Sequence, residues 1–77
     1  MICQKVEAYT YDEQGKRHVV AELQASEEPA TMPTTGEGIG GMDPLTENDI
    51  LSPGTTLLVT KTSQVFMMNE DNEFDEL

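Results

Sequence analysis

Ser52–Phe74 reads SPGTTLLVTKTSQVFMMNEDNEF, and its pattern decides the fold class. It holds both phenylalanines, two of the five methionines and the longest apolar run of the chain. Pro53-Gly54 is turn chemistry: proline presets φ, and glycine accepts the positive φ of the next position. The run TTLLVT (55–60) is strand-like in composition, with Leu57 and Val59 on one face and Leu58 on the other. Lys61-Thr62-Ser63 forms a short loop. QVFMM (64–68) is the partner strand, with Val65 and Met67 opposed to Phe66 and Met68. Asn69-Glu70-Asp71-Asn72 is a second turn, because Asn and Asp tolerate left-handed backbone and bond their own main chain. Phe74 follows, placed to return over the hairpin. The candidate core and interaction surface is therefore Leu57, Leu58, Val59, Val65, Phe66, Met67, Met68 and Phe74. Apolar residues on both faces predict burial on both. The expectation is that residues 2–25 and a second copy of the chain together cover the second face.

Upstream, ICQKVEAYTY (2–11) is rich in strand formers. Simple alternation places Ile2, Val6 and Ala8 on one face and Cys3, Tyr9 and Tyr11 on the other. Asp12-Glu13-Gln14-Gly15 is a turn, and KRHVVAELQA (16–25) returns as a second strand. Residues 19–28 also satisfy a helical pattern, since Ala, Glu, Leu and Gln are good helix formers, although the apolar stripe is narrow. Between the two ends lies a connector, 26–53, which holds all four prolines (Pro29, Pro33, Pro44, Pro53) and most of the glycines. Lost donors and added ordering cost argue against regular structure across 29–41. A short helical turn over Thr46–Leu51, started by Asp43-Pro44, is the one candidate for helix. The predicted fold is thus a single mainly β domain. It has an N-terminal hairpin (2–25), an extended Pro/Gly-rich connector (26–53) and a C-terminal hairpin (54–77).

The 77-residue chain is short enough that a core alone is marginal. Cys3 is its single cysteine, which excludes an internal disulfide or a thiolate metal cluster and fits a reducing compartment. Oligomerisation is the remaining source of buried surface, so a homo-oligomer is expected. The net charge of -11, from 15 acidic and 4 basic residues, repels phosphate backbones and anionic lipids. Nucleic acid and membrane are therefore not expected partners, and a basic protein surface is. The plainer reading of the charge is solubility. No stretch approaches the ~20 apolar residues of a membrane span. The start MICQKVEAY lacks the apolar region of a signal peptide, so a cytoplasmic location is expected. Asp75-Glu76-Leu77 matches part of a retention tetrapeptide only by chance.

Residues with catalytic or ligand chemistry form no constellation. His18 has no nucleophile or base partner visible in the sequence, and Lys16-Arg17-His18 reads as a basic patch that is solvated or pairs with a neighbouring copy. Gly36–Gly41 satisfies G-x-G-x-x-G but lacks the strand before it and the helix after it. Met32–Gly36 resembles a sorting signal without the apolar span such signals need. Asp43, Glu47 and Asp49, and separately Asn69, Asp71 and Glu73, are weak candidates for a cation, the second set lacking the glycine and the twelfth ligand of a calcium loop. No cofactor, no metal and no enzymatic activity are expected.

The last third of the chain resembles the ending of small proteins encoded among the head and tail genes of tailed phages and prophages of Gram-positive bacteria. Gly54, Thr55, Val65, Asn69 and Phe74 match the positions of that pattern. Phe66 stands where tyrosine is usual, Phe74 where tryptophan is, and Asn72 where a turn glycine is. The resemblance implies a virion-associated or morphogenesis accessory, located in the host cytoplasm or the virion. Its partners would be its own copies or a larger phage structural protein. A reading of a different class is an acidic inhibitor that occupies the basic nucleic-acid site of a partner protein.

Overall fold

The computed structural model describes residues 1–77, and the chain is mainly β. The strands are β1 (Ile2–Tyr11), β2 (Arg17–Ala25), β3 (Gly40–Gly41), β4 (Ile50–Leu51), β5 (Thr56–Val59), β6 (Gln64–Met68) and β7 (Phe74–Glu76). All belong to one sheet in the order β3-β1-β2-β5-β6-β7, with β4 also paired to β2. Neighbours β1–β2, β5–β6 and β6–β7 are antiparallel, whereas β1–β3, β2–β4 and β2–β5 are parallel.

The expected layout gives way to this single mixed sheet. Residues 2–25 do not lie over a face of the C-terminal strands. β2 instead joins β5 edge to edge, from Glu22 opposite Thr56 to Ala25 opposite Val59. Pairing satisfies backbone groups that two separate ribbons would leave open, and isolated two-stranded ribbons are marginal in water. The helical reading of 19–28 loses to the same demand, because β2 is central and pairs along both edges.

The connector is not an extended arm. It folds against one face of the sheet and delivers Ile39, Leu45 and Leu51 to the core. Its helical content is one 3₁₀ turn at Pro29–Thr31. No helical turn follows Pro44; the Asp49 amide donates to the Thr46 carbonyl (3.0 Å), and Ile50–Leu51 runs on as β4 beside His18–Val19. Gly36 lies where the connector crosses itself. Its amide donates to the Asp49 carbonyl (2.7 Å), and a Cβ there would strike the Thr46 carbonyl oxygen. The G-x-G-x-x-G glycines thus serve chain crossing and the two-residue β3, not a phosphate loop.

In β1, register shifts between Cys3 and Lys5 and between Val6 and Ala8 overturn the simple alternation. Each extra residue reverses the faces downstream. Val6 therefore sits opposite Ala21 and packs on the core with Cys3, rather than sharing a face with Ile2 and Ala8.

β4 and β5 behave as one strand broken by the turn Ser52–Thr55. Thr55 donates to the Ser52 carbonyl (3.1 Å), and Gly54 takes φ +97°, as the third position of a Pro-Gly turn requires. Across this break the Thr55 hydroxyl replaces the missing backbone. It accepts from the Ala21 amide (3.2 Å) and donates to the Val19 carbonyl (3.4 Å), fully buried. Thr55→Val keeps the shape but orphans the Ala21 amide, so about 1–3 kcal/mol of stability is expected to go. A urea titration reads this as a lower midpoint at unchanged slope.

Candidate functional site

Alternation in β5 and β6 divides the candidate surface residues between two faces. Leu57, Val59, Phe66 and Met68 are buried in the core, and half-buried Phe74 packs against it from β7. Leu58, Val65 and Met67 point away and are 39%, 41% and 37% exposed. Across the sheet, Ile2 lies opposite Gln24, Gln24 opposite Leu58, and Leu58 opposite Val65. The Leu77 amide then donates to the Val65 carbonyl (2.9 Å). An uncharged, largely apolar row thus crosses the outer face, and nothing in the chain covers it. The next row carries Lys5, Glu22, Thr56, Met67 and Asp75.

The opposite end of the sheet carries the polar chemistry. Arg17 Nε donates to Asp49 Oδ1 (3.0 Å) and a terminal guanidinium nitrogen to Asp49 Oδ2 (2.5 Å), a bidentate pair. Asp49 is buried and also accepts from the Thr46 amide (2.9 Å). The Arg17 hydrogen bonds hold its carboxyl below the usual aspartate range, against a burial effect that raises it. The same guanidinium lies 5.4 Å from the Tyr9 ring centroid, and Tyr9 meets Tyr11 edge to face at 5.9 Å. His18 pairs with Asp12 (2.9 Å), and this bond pulls the Asp12 carboxyl down. The basic patch thus finds partners within its own chain at Arg17 and His18.

The cation candidates are occupied by local bonding. Asp43 Oδ2 accepts from the Val6 amide (2.9 Å), Asp49 is tied to Arg17, and Asn69 Oδ1 accepts from the Asp71 and Glu73 amides (2.8 and 3.1 Å). No group of three or more His, Cys, Asp or Glu side chains converges as a metal set would. Cys3 is buried, and burial pushes its thiol up, away from thiolate reactivity. No helix is long and apolar enough to cross a membrane.

The edge of β1 borders an open cleft of about 500 Å³ between Val6–Tyr9 and Asp43-Pro44, with Arg17 in its wall. A second hollow of about 450 Å³ continues past Arg17 and Pro44 to Tyr11 and Asp49. Sequence reasoning missed this region. Arg17 and Asp49 stand 32 positions apart, and the signal available was an aspartate set between apolar Leu45 and Ile50-Leu51. In comparisons with family models, with curated proteins and with solved structures, nothing matches this chain.

Proposed function

We propose that this chain is a small, acidic, non-enzymatic structural or interaction protein that assembles with its own copies through the outer face of its sheet. The observation that carries this is the uncovered row Ile2, Leu58, Val65 and Leu77, with Met67 beside it. The row is free of charged side chains, so two copies can stack there without opposing like charges at its centre, despite a net charge of -11 per chain. Burying apolar surface stabilises by about 25 cal/mol per Å², and a domain this small has little other apolar area to spend. The resemblance of the last third supports a role as a virion-associated or morphogenesis accessory of a phage or prophage. Two hairpin-like antiparallel pairs, β1–β2 and β5–β6, would be the rigid frame that presents the face.

The acidic residues lend the inhibitor reading less support. Asp12, Glu13, Glu70 and Asp71 lie in turns at one end of the strands, Glu27 and Glu28 follow β2 at the other, and Glu7, Asp75 and Glu76 lie in edge strands. A phosphate mimic would gather its carboxylates on one surface.

Sedimentation at micromolar concentration tests the reading. The native chain is expected to associate, and Leu58→Lys to sediment as a monomer with an unchanged far-UV spectrum. A native chain that is monomeric throughout that range overturns self-assembly. Absence from purified phage particles overturns the virion role.

A further inference from the structure

We propose that the free edge of β1, from Glu7 to Tyr11, accepts an extended, positively charged segment of a partner protein as an added strand. The segment excludes Ile2, the residue that β1 gives to the outer-face row, and the proposal stands independently of self-assembly.

The edge is open beyond the short reach of β3. β3 pairs β1 only at Ile2 and Cys3. The Asp43 amide then donates to the Cys3 carbonyl (3.4 Å), and the Asp43 carboxylate accepts from Val6. Beyond Val6 no strand lies on that side. The register shifts that blunt the edge end at Ala8. From Ala8 opposite Val20 to Tyr11 opposite Arg17 the strand is regular, so its outward backbone groups keep the spacing of a ladder. At the far side of the sheet, β7 offers only three residues, two of them acidic.

Two further features make the β1 edge a receiving site. The cleft between Val6–Tyr9 and Asp43-Pro44 runs alongside it, so side chains on one face of an added strand have room. Strand addition takes affinity from main-chain bonds and specificity from such pockets. Tyr9 and Tyr11 are 57% and 64% exposed, yet Tyr9 is backed by Arg17, itself pinned by Asp49. A ring held in place loses little freedom on binding.

Charge selects the occupant. Arg17 is neutralised by Asp49, whereas Asp43 keeps one carboxylate oxygen outside its bond to Val6. On the other face, the neighbouring Glu7 pushes the Glu22 carboxyl above the usual range, and Lys5, 3.7 Å from the Glu7 carboxylate, offsets only part of this. A lysine or arginine entering there relieves that repulsion, and one entering on the cleft side meets Asp43 and the tyrosine rings. A second copy brings the same net charge of -11 and only four Lys and Arg residues against fifteen acidic ones, and a nucleic-acid strand would be repelled.

The test uses the whole protein with a short alternating Lys/Val peptide, its Glu/Val counterpart and a single-stranded oligonucleotide, followed by fluorescence anisotropy and amide hydrogen exchange. The expected result is binding of the Lys/Val peptide alone, weakening as salt rises, with amides in 7–11 newly protected. Tyr9→Ala and Glu7→Lys are each expected to weaken binding about tenfold, the equivalent of about 1.4 kcal/mol. Glu7 is exposed and in a register shift, so Glu7→Lys keeps the fold even where Tyr9→Ala loosens it. Leu58→Lys, which tests self-assembly, is expected to leave peptide binding unchanged. Equal binding of the Glu/Val peptide, binding of the oligonucleotide, protection confined to β7, or protection of 7–11 by self-association without peptide each overturns the proposal.

Discussion

Arg17→Met is expected to remove about 3 kcal/mol of folding stability, the lower end of what breaking a buried ion pair costs. The lower end applies because the Arg17 side chain is 23% exposed while that of Asp49 is 3% exposed. Methionine fills much of the arginine stem's volume, so the loss comes from the charge left on Asp49. That carboxylate keeps its bond from the Thr46 amide but loses both guanidinium donors. The double variant Arg17→Met/Asp49→Asn should therefore recover part of the loss. Asparagine still offers an oxygen to Thr46 and leaves no buried charge. Chemical denaturation of the native protein, Arg17→Met, Asp49→Asn and the double variant reads this as non-additivity, and purely additive losses would mean that the pair is not coupled.

The same pair sets an acid limit. Asp49 is held below its ordinary range in the folded protein, chiefly by Arg17. Asp12 is held low by His18. An unfolded aspartate titrates at about 3.9. Above that value both states are ionised, and the full contribution of each pair is present. Below it the unfolded chain takes up protons first, and stability falls as pH drops through the folded-state values. Denaturation midpoints followed from neutral pH to about pH 3 should decline most steeply at the acid end, below that ordinary aspartate value. In Arg17→Met/Asp49→Asn the decline should be shallower.

Leu57→Ala is expected to cost about 2–5 kcal/mol, while Leu58→Ala, one residue on, should cost a small fraction of that. Leu57 is fully buried and Leu58 is 39% exposed. The first substitution opens a cavity between the sheet and the connector, whereas the second trims a side chain that already faces water. Leu51→Ala should match Leu57→Ala, since Leu51 is also fully buried although it comes from the connector. In a domain of this size each kcal/mol moves the melting temperature by about 4–8 °C. A melting temperature scarcely changed by Leu51→Ala would mean that the connector does not complete the core.

The strand content, the turns and the inward and outward residues of β5 and β6 are legible in the sequence because their causes are local. Side chains alternate with period two, so Leu57 and Val59 must part from Leu58. Pro53-Gly54 and Asn69–Asn72 carry their turn chemistry in their own side chains, and Asn72 indeed takes φ +59°. Other features have no local cause. The parallel pairing of β2 with β5 depends on which backbone edges meet, and backbone edges leave no mark on side-chain pattern. The register shifts in β1, which turn Val6 into the core, are set by the partner strand. The Arg17–Asp49 pair and the cleft along β1 arise only when the connector folds back and brings residue 49 beside residue 17. Period and turn chemistry were written in the chain itself; edge pairing, and everything that edge pairing brings together, was decided by the tertiary structure, because each backbone hydrogen bond must find a partner that the local sequence does not name.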